Sequence, residues 1–278
     1  MRLFYTNTSK HLAQRINIRQ GKFTVKKFSD GEIYIKIKEQ VKNKPVLVLA
    51  SIVPSEESVL ELLFLLDALK REKAKINLLI PYLGYSRQDR RMVGESLSSK
   101  VVCDLLKQVK KINIIHVHSS KLKKFLSYNE IIPLKIYYPI IKKYDVIVAP
   151  DKGASNLVKK ISQNIKIPFT SMEKVRVTPK KVKIIKVKGE VKNKKVLIID
   201  DMISTAGTII AASKTLQQAG AKEVSVLATH GIFSDKSIER IEKSQIKKVY
   251  VTNSLQQKHG CKKVKVIDIS KFIRKMFI

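Results

Sequence analysis

Runs of consecutive apolar residues alternate along this chain with stretches in which apolar residues recur every three or four positions. A strand buried in a parallel sheet produces the first pattern, and a helix packed on such a sheet produces the second. Strands are predicted at 46–53, 76–80, 112–117, 146–149, 196–199 and 224–228, and helices at 59–69, near 96–109, at 154–161 and at 208–218. This order predicts an α/β architecture with a doubly wound, mainly parallel sheet in each half of the chain.

The length of the chain and a break in the alternation predict two domains. The 278 residues are about the size of two ordinary domains, and 44% hydrophobic content is enough for a core in each. The pattern of the first half ends at 139–144, which predicts domains at 1–142 and 143–278. An amphipathic tail at 270–278 could pack on the first domain, and the lysine-rich stretch 180–195 predicts a solvated hairpin or an edge segment.

The charge of the chain is strongly positive. Lysine and arginine number 56 against 23 acidic residues, which gives a formal net charge of +33. Such an excess fits a nucleic acid or an anionic surface as partner. The basic residues are spread along the whole chain, however, tryptophan is absent, and no zinc-finger or RNA-binding signature accompanies them. A basic enzyme that handles nucleotides is therefore favoured over a nucleic-acid-binding module, and we expect no specific nucleic acid as partner.

Cysteine usage and hydropathy indicate the compartment. Cys103 and Cys261 are far apart and belong to no CxxC pair, so neither a disulfide framework nor a structural zinc site is predicted. No apolar run reaches transmembrane length, and residues 1–20 lack the continuous apolar segment of a signal peptide. We therefore expect a cytoplasmic protein with no membrane partner.

The most informative stretch runs from Val196 to Thr208. Its apolar start predicts a strand covered on both faces, and Asp200 and Asp201 follow at the carboxyl end of that strand. Residues 204–208 then supply hydroxyls, a glycine and the N–H groups of a helix N-terminus, which together form an anion-binding turn. Carboxylates accept hydrogen bonds from vicinal sugar hydroxyls, so the stretch predicts a site for a phosphorylated pentose. An isolated Asp-Asp pair would fit a simple turn cap equally well.

Two further segments carry candidate ligand-binding groups. Residues 81–91 (PYLGYSRQDRR) follow a predicted strand, so their polar groups lie at the carboxyl edge of the sheet, where ligands bind in such folds. Three arginines within five residues favour a polyphosphate, although an isolated segment of this kind is also typical of a solvated loop. Upstream, residues 28–32 (FSDGE) offer an aromatic face for a base and two acceptors for its edge, but alone they are a weak turn signal. The P-loop pattern GxxxxGK[ST] is absent, so other groups would have to bind a triphosphate.

These motifs together resemble those of the ribose-phosphate pyrophosphokinase family. The stretch 196–208 resembles the 5-phosphoribosyl 1-pyrophosphate loop that this family shares with type I phosphoribosyltransferases. The segments 28–32 and 81–91 match the family in order, residues 94–100 continue the match, and type I phosphoribosyltransferases lack the first two. The resemblance extends over about 28–234 and implies two tandem domains of the type I phosphoribosyltransferase-like fold.

The resemblance implies which residues bind the two substrates. ATP is assigned to Phe28, Asp30, Gly31, Glu32, Arg87, Gln88 and Arg90. Ribose 5-phosphate is assigned to Arg176, Asp200, Asp201, Ser204, Thr205, Ala206, Gly207 and Thr208. Ala206 stands where the family commonly has glycine. The family builds its ATP site across a subunit interface, which implies a homodimer or a larger homo-oligomer.

The resemblance also implies a Mg²⁺ site and two catalytic residues. His118 and Asp151 match the metal-binding positions. Coordination by only one imidazole and one carboxylate suits Mg²⁺, which takes many of its oxygen ligands from substrates. Lys174 and Arg176 match the basic pair of the family's mobile catalytic loop.

The reaction implied is the transfer of the pyrophosphoryl group of ATP to the anomeric hydroxyl of ribose 5-phosphate, which yields 5-phosphoribosyl 1-pyrophosphate and AMP. A type I phosphoribosyltransferase is an alternative, but it would leave 28–32 and 81–91 without a role. A catalytically silent family member is a second alternative, and the retained Lys174 and Arg176 argue against it.

Overall fold

The chain folds into two units, each built around its own β-sheet. The computed structural model describes the backbone of residues 1–176 and 182–278, and the side chains of residues 1–173 and 187–278. The first unit comprises Met1–Ile132, Ser254–Gln256 and Ser270–Ile278, and the second comprises Pro133–Asn253 and Gln257–Ile269.

The first unit contains a five-stranded parallel sheet and a separate two-stranded hairpin. Its strands are β1 (Arg2–Tyr5), β2 (Phe23–Lys27), β3 (Ile33–Ile37), β4 (Pro45–Leu49), β5 (Lys75–Ile80), β6 (Lys111–Ile115) and β7 (Asn129–Ile131). Its first helices are α1 (Lys10–Ala13), α2 (Glu56–Arg71) and α3 (Ser98–Leu106), with 3₁₀ turns at Asn7–Ser9 and Ser120–Lys124. The sheet order is β1-β4-β5-β6-β7, and β2 and β3 pair antiparallel.

Helix α2 shows how the sequence determines the packing of this unit. Ser55 caps its N-terminus by accepting a hydrogen bond from the Ser58 N–H, and acidic residues in the first turn and basic residues in the last turn match the helix dipole. One face of the helix is buried in the core beside β4 and β5, through Leu62, Leu65, Leu66 and Leu69. The strand β4 is buried on both faces, which is why it reads as a continuous apolar run.

The second unit contains a seven-stranded sheet that is parallel except at one edge. Its strands are β8 (Val146–Ala149), β9 (Phe169–Arg176), β10 (Val182–Val187), β11 (Lys195–Ile203), β12 (Glu223–Gly231), β13 (Val249–Thr252) and β14 (Val264–Ile267). Its helices are α4 (Leu134–Ile141), α5 (Lys152–Ile165), α6 (Gly207–Gln218) and α7 (Ser237–Lys243). The order is β10-β9-β8-β11-β12-β13-β14, with β10 antiparallel to β9 at the edge. The last helix, α8 (Ser270–Phe277), belongs to the first unit.

The boundary between the units lies ten residues before the one expected at 142/143. Pro139 lies inside α4, not in a linker, and α4 belongs to the second unit. Tyr137 and Ile141 of this helix are buried, and the Tyr137 hydroxyl shares a 2.9 Å hydrogen bond with the Thr229 hydroxyl of β12. A helix anchored on β12 in this way belongs to the second unit.

Most predicted elements are present with changed ends. The strand expected at 46–53 ends at Leu49, and the strand expected at 196–199 continues to Ile203. Among the residues that the structure describes, no helix combines the length and the apolar composition needed to cross a bilayer.

Candidate active site

The order of strands in the second unit creates a crevice between β8 and β11. From β8 the chain moves outwards to β9 and β10, and from β11 it moves in the opposite direction to β12, β13 and β14. Ligands of α/β sheets bind at such a reversal, outside the carboxyl ends of the strands. Strand β11 pairs with β8 only over Val196–Ile198 and then continues beside β12 to Ile203. Asp200 and Asp201 therefore lie at the crevice, past the last residue paired with β8.

Asp200 is the most strongly perturbed acid of this crevice. Burial is the main cause, and the neighbouring charges of Asp201 and Asp151 add to it, so that the pKa of Asp200 is raised to about 8. Its Oδ1 accepts a 2.9 Å hydrogen bond from the Asp201 N–H, which works in the opposite direction. Three carboxylates thus lie close enough at this edge to influence one another, an arrangement that a cation or hydroxyl donors would stabilise.

Asp151 lies at the opposite side of the crevice, where β8 ends and α5 begins. It is the N-cap of α5, and its Oδ1 accepts hydrogen bonds from the N–H groups of Gly153 (2.9 Å) and Ala154 (3.2 Å). Because both bonds use Oδ1, Oδ2 is left for a ligand. The residue predicted to bind metal therefore also fixes the start of a helix.

The turn at 204–208, which we call the phosphate turn, joins β11 to α6. Ala206 is the N-cap of α6 and has left-handed backbone angles, with φ 63° and ψ 0°. The Ile210 N–H donates to the Ala206 carbonyl at 3.0 Å, so the N–H groups of Gly207, Thr208 and Ile209 before it are at the open end of the helix. A Cβ on Gly207 would meet only the Thr205 hydroxyl, at 3.8 Å. The structure thus provides the anion-binding end of a helix next to Asp200 and Asp201.

In the first unit, the segment 81–91 is fixed at its start and exposed further on. The Gly84 N–H donates to the Ile52 carbonyl at 2.7 Å, and a Cβ on Gly84 would lie 2.5 Å from that oxygen, so only glycine fits. Ser86 is buried, whereas Arg87 and Arg90 are exposed to solvent. The two guanidinium groups are therefore available for an anionic ligand.

Gln88 and Asp89 connect this segment to its neighbours. Gln88 Oε1 accepts a hydrogen bond from the Ser98 hydroxyl of α3, which leaves the amide nitrogen as the donor for a ligand. Asp89 Oδ2 accepts from the Ser119 hydroxyl at 2.6 Å, and this bond holds the pKa of Asp89 below its usual value. Because Ser119 directly follows His118, the bond brings the polyphosphate segment and the predicted metal-binding histidine to the same edge of the sheet.

The predicted base-binding segment is the turn of the β2–β3 hairpin. Gly31 has a φ of 96°, and the Asp30 carboxylate accepts a 3.1 Å hydrogen bond from the Glu32 N–H, which closes the turn. The Phe28 ring is 48% exposed and makes an edge contact with Tyr34, with the ring centroids 5.5 Å apart. Within the described residues, no hydrogen bond, ion pair or ring contact joins this turn to Arg87, Gln88 or Arg90.

The predicted metal ligands and the predicted catalytic pair lie on elements of both units. His118 is exposed after β6 in the first unit, and Asp151 lies in the second. Among the described residues, no group of three or more His, Cys, Asp or Glu side chains is arranged to hold a metal ion. The backbone of Lys174 and Arg176 belongs to β9, opposite Ile185 and Val182 of β10, and not to the loop that the resemblance implied. Their side chains lie outside the described residues.

Sequence reasoning missed several residues that support these sites. Lys26 Nζ lies 5.8 Å from the Phe28 ring centroid and 5.1 Å from that of Tyr34, on strands whose alternation was not recognised. Ser234 and Arg240 contact the phosphate turn from 30 and 35 residues away in sequence. No local spacing pattern signals contacts over such a separation.

Comparison with known proteins extends over almost the whole chain. A family model described as the N-terminal domain of ribose phosphate pyrophosphokinase matches residues 1–109, and one described as the phosphoribosyl synthetase-associated domain matches residues 143–277. The structure is similar to the crystal structure of phosphoribosylpyrophosphate synthetase from Mycobacterium smegmatis, with a TM-score of 0.88 and 29% identity over 99% of this chain and 96% of that one.

Curated relatives agree with these matches. The ribose-phosphate pyrophosphokinase of Fusobacterium nucleatum subsp. nucleatum is 36% identical over 276 residues, which cover 94% of this chain and 87% of the relative. The enzyme of the same name from Bacillus caldolyticus is 35% identical over 289 residues, which cover 97% of this chain and 90% of the relative. The chain therefore belongs to the ribose-phosphate pyrophosphokinase family.

Proposed function

We propose that this chain transfers the pyrophosphoryl group of ATP to ribose 5-phosphate, giving 5-phosphoribosyl 1-pyrophosphate and AMP. The anomeric oxygen of the sugar forms a bond to the β-phosphorus of ATP. The bond between that phosphorus and the oxygen bridging to the α-phosphate breaks, and AMP leaves with the bridging oxygen. The proton of the anomeric hydroxyl is released. The family membership of the chain supports this reaction.

The observation that carries the proposal is the pairing of two carboxylates with an anion-binding turn in the second unit. Asp200 and Asp201 would accept hydrogen bonds from the ribose hydroxyls, and residues 204–208 would bind the 5-phosphate through their N–H and hydroxyl groups. The phosphate turn directly follows the strand that carries the two acids, so both ends of one small sugar phosphate are recognised.

ATP is assigned to the first unit. The exposed Phe28 ring would stack on adenine, with Asp30, Gly31 and Glu32 at its edge. Arg87, Gln88 and Arg90 would bind the phosphates. In line with the family resemblance, we infer that ATP binds with one group from each of two chains, which makes the active form a homodimer or a larger homo-oligomer. A cytoplasmic location is part of the same proposal.

The residues present fit Mg²⁺ as the metal. The crevice of the second unit concentrates oxygen donors, burial and mutual repulsion raise the pKa of Asp200 there, and Asp151 has an oxygen not used by its helix cap. His118 and Asp151 would hold the ion, with further oxygens from the substrates. When bound, Mg²⁺ neutralises charge on the phosphates of ATP. Lys174 and Arg176 would stabilise charge at the transferring group, with Arg176 also near ribose 5-phosphate.

The test is to incubate the purified chain with ATP and Mg²⁺, with and without ribose 5-phosphate, and to quantify nucleotides by chromatography. AMP should form only with the sugar phosphate, in a one-to-one ratio with 5-phosphoribosyl 1-pyrophosphate. Formation of ADP would contradict pyrophosphoryl transfer. Release of pyrophosphate from 5-phosphoribosyl 1-pyrophosphate and a nucleobase would instead indicate a phosphoribosyltransferase.

A pair of variants tests the assignment of the carboxylates. Asp200→Ala should raise the KM for ribose 5-phosphate strongly and leave ATP binding nearly unchanged. Asp145→Ala is the matched control, because Asp145 accepts a hydrogen bond from the Lys195 N–H at the other end of β11, away from the crevice. Equal loss of both substrate affinities in Asp200→Ala would indicate a structural role only.

A further inference from the structure

We infer that the loop after β12, residues 232–236, and Arg240 of α7 form a brace that holds the phosphate turn in its binding conformation before any ligand arrives. This inference rests on the proposed function, because it assigns these residues to ribose 5-phosphate binding. Ser234 and Arg240 are positioning residues in this view, since they act on the substrate through the turn that they contact.

The first connection is made by the backbone. The N–H groups of Ile232 and Phe233 both donate to the carbonyl of Ile203, at 2.9 and 3.1 Å. Ile203 is the last residue of β11 and directly precedes the phosphate turn. The direction in which the chain leaves β11 is therefore determined by the brace loop.

Two side chains add connections within the turn. The hydroxyls of Ser204 and Ser234 share a 2.7 Å hydrogen bond. The Arg240 guanidinium donates from Nη1 to the Thr205 carbonyl at 3.2 Å and from Nη2 to Asp235 Oδ2 at 2.8 Å. The Arg240 cation thus binds the Thr205 carbonyl oxygen and offsets its partial negative charge, which would otherwise repel a bound phosphate.

The backbone angles show that both loops need such support. Ala206, Phe233 and Asp235 all have left-handed conformations, with φ of 63°, 49° and 53°. Residues other than glycine keep left-handed backbone angles only where contacts with the surrounding structure hold them there, and such positions cluster at functional sites. Three of them occur here in two loops that are hydrogen-bonded to each other.

The brace loop is itself held by packing. The Phe233 ring lies so close to Gly231 that a Cβ there would come within 2.5 Å of it. The same ring makes an edge contact with His259, with the centroids 5.1 Å apart. The Phe233 side chain is therefore held by packing contacts outside the phosphate turn, as a brace requires.

Variants of Arg240 and Ser234 test the brace, with ribose 5-phosphate as the probe. Arg240→Ala loses a charged hydrogen bond to the turn, which should raise the KM for ribose 5-phosphate about 3- to 10-fold. The KM for ATP and kcat should stay within about twofold of wild type, since a uniform loss of binding spares the chemical step. Arg240→Lys should recover part of the affinity, because lysine can donate one of the two bonds. Ser234→Ala should act in the same direction as Arg240→Ala.

Lys243→Ala is the matched control. It removes an ion pair with Glu239 on the same helix, and among the described residues Lys243 forms no hydrogen bond or ion pair with the turn, so the KM for ribose 5-phosphate should not change. Unchanged KM values in both Arg240→Ala and Ser234→Ala would overturn the brace. So would a parallel loss of ATP affinity, kcat and melting temperature, which would make these residues merely structural.

Titration calorimetry with ribose 5-phosphate separates this inference from the proposed function. If the wild-type chain binds the sugar phosphate but releases no AMP, and Arg240→Ala weakens that binding, the brace holds and the reaction assignment fails. If wild type turns over and Arg240→Ala binds ribose 5-phosphate as tightly as wild type, the brace fails alone. A wild-type chain that neither binds ribose 5-phosphate nor turns over overturns both.

Discussion

Replacement of Asp200 by asparagine should stabilise the ligand-free protein, and more so as the pH rises. Burial and the charges of Asp201 and Asp151 raise the pKa of Asp200 from an unfolded value of 3.8 to about 8. Its ionised form is therefore disfavoured in the folded state. Below about pH 4 the carboxyl is neutral in both states and does not affect stability. Above this pH, ionisation of Asp200 stabilises the unfolded chain but not the folded protein, so the free energy of unfolding decreases.

The size of the effect follows from the shift in pKa. The penalty grows by about 1.36 kcal/mol per pH unit, to an upper limit of about 4 kcal/mol at about pH 7. Part of the side chain reaches solvent, which reduces the penalty, and we expect about 2 kcal/mol. Asparagine has no ionisation penalty, so the Asp200→Asn variant should unfold at higher urea concentration than wild type near neutral pH and at the same concentration near about pH 4.

Urea unfolding of both proteins across this pH range, without Mg²⁺ or substrates, measures the difference directly. Asp67→Asn is the control for the loss of one negative charge, because Asp67 forms an exposed ion pair with Arg71, a type of pair that contributes little. A stability difference that does not change with pH would refute the reasoning, because only the titration of Asp200 makes it pH-dependent.

Three further predictions address other positions. Ala206→Gly should raise the free energy of unfolding, measured in urea titrations, by about 0.5 kcal/mol. The reason is that relief of about 1–2 kcal/mol of left-handed strain exceeds the entropic cost of glycine of about 0.5–1 kcal/mol. As a control, Ala211→Gly inside α6 should lower the free energy of unfolding by about 1 kcal/mol. Gly84→Ala should lower the melting temperature and raise the KM for ATP, since the new Cβ would lie 2.5 Å from the Ile52 carbonyl oxygen. Gly260→Ala is the control: its Cβ would meet no atom within 4 Å, so neither quantity should change. Lys174→Ala should bind ATP but turn over about a hundredfold more slowly in the AMP assay, and a near-normal kcat would contradict its catalytic role.

Elements with a strong periodic pattern could be predicted from the sequence. Strand β8 was predicted with its observed ends, and α6 to within one residue, because both are bounded by clear signals. The hairpin of β2 and β3 was missed, since its strands are only partly buried and alternate weakly. Helix α4 was assigned to the first domain, because the pattern of the first half ends only at 139–144. The hydrogen bond between Tyr137 and Thr229 of β12 instead anchors the helix in the second unit, and a bond of this kind between distant residues leaves no local sequence signal.

The candidate site was predictable only where its residues are adjacent in sequence. Asp200, Asp201 and the phosphate turn form one segment and could be recognised as a unit. The strain at Ala206 could not, because backbone angles depend on the tertiary contacts that hold the turn. Likewise, the raised pKa of Asp200 is caused mainly by burial, with smaller contributions from Asp201 and Asp151, and burial depends on how β11 is packed in the folded sheet.

If Asp151 binds the proposed cation, its role as the N-cap of α5 would couple the first turn of that helix to the crevice. One carboxylate oxygen fixes the N–H groups of Gly153 and Ala154, and a cap of this kind typically contributes about 0.5–2 kcal/mol to a helix. A cation that reorients the carboxylate changes this cap and therefore the frequency with which the first turn of α5 frays. Hydrogen exchange at the Gly153 and Ala154 amides would then change when the proposed cation binds, so these two amides would report on its binding.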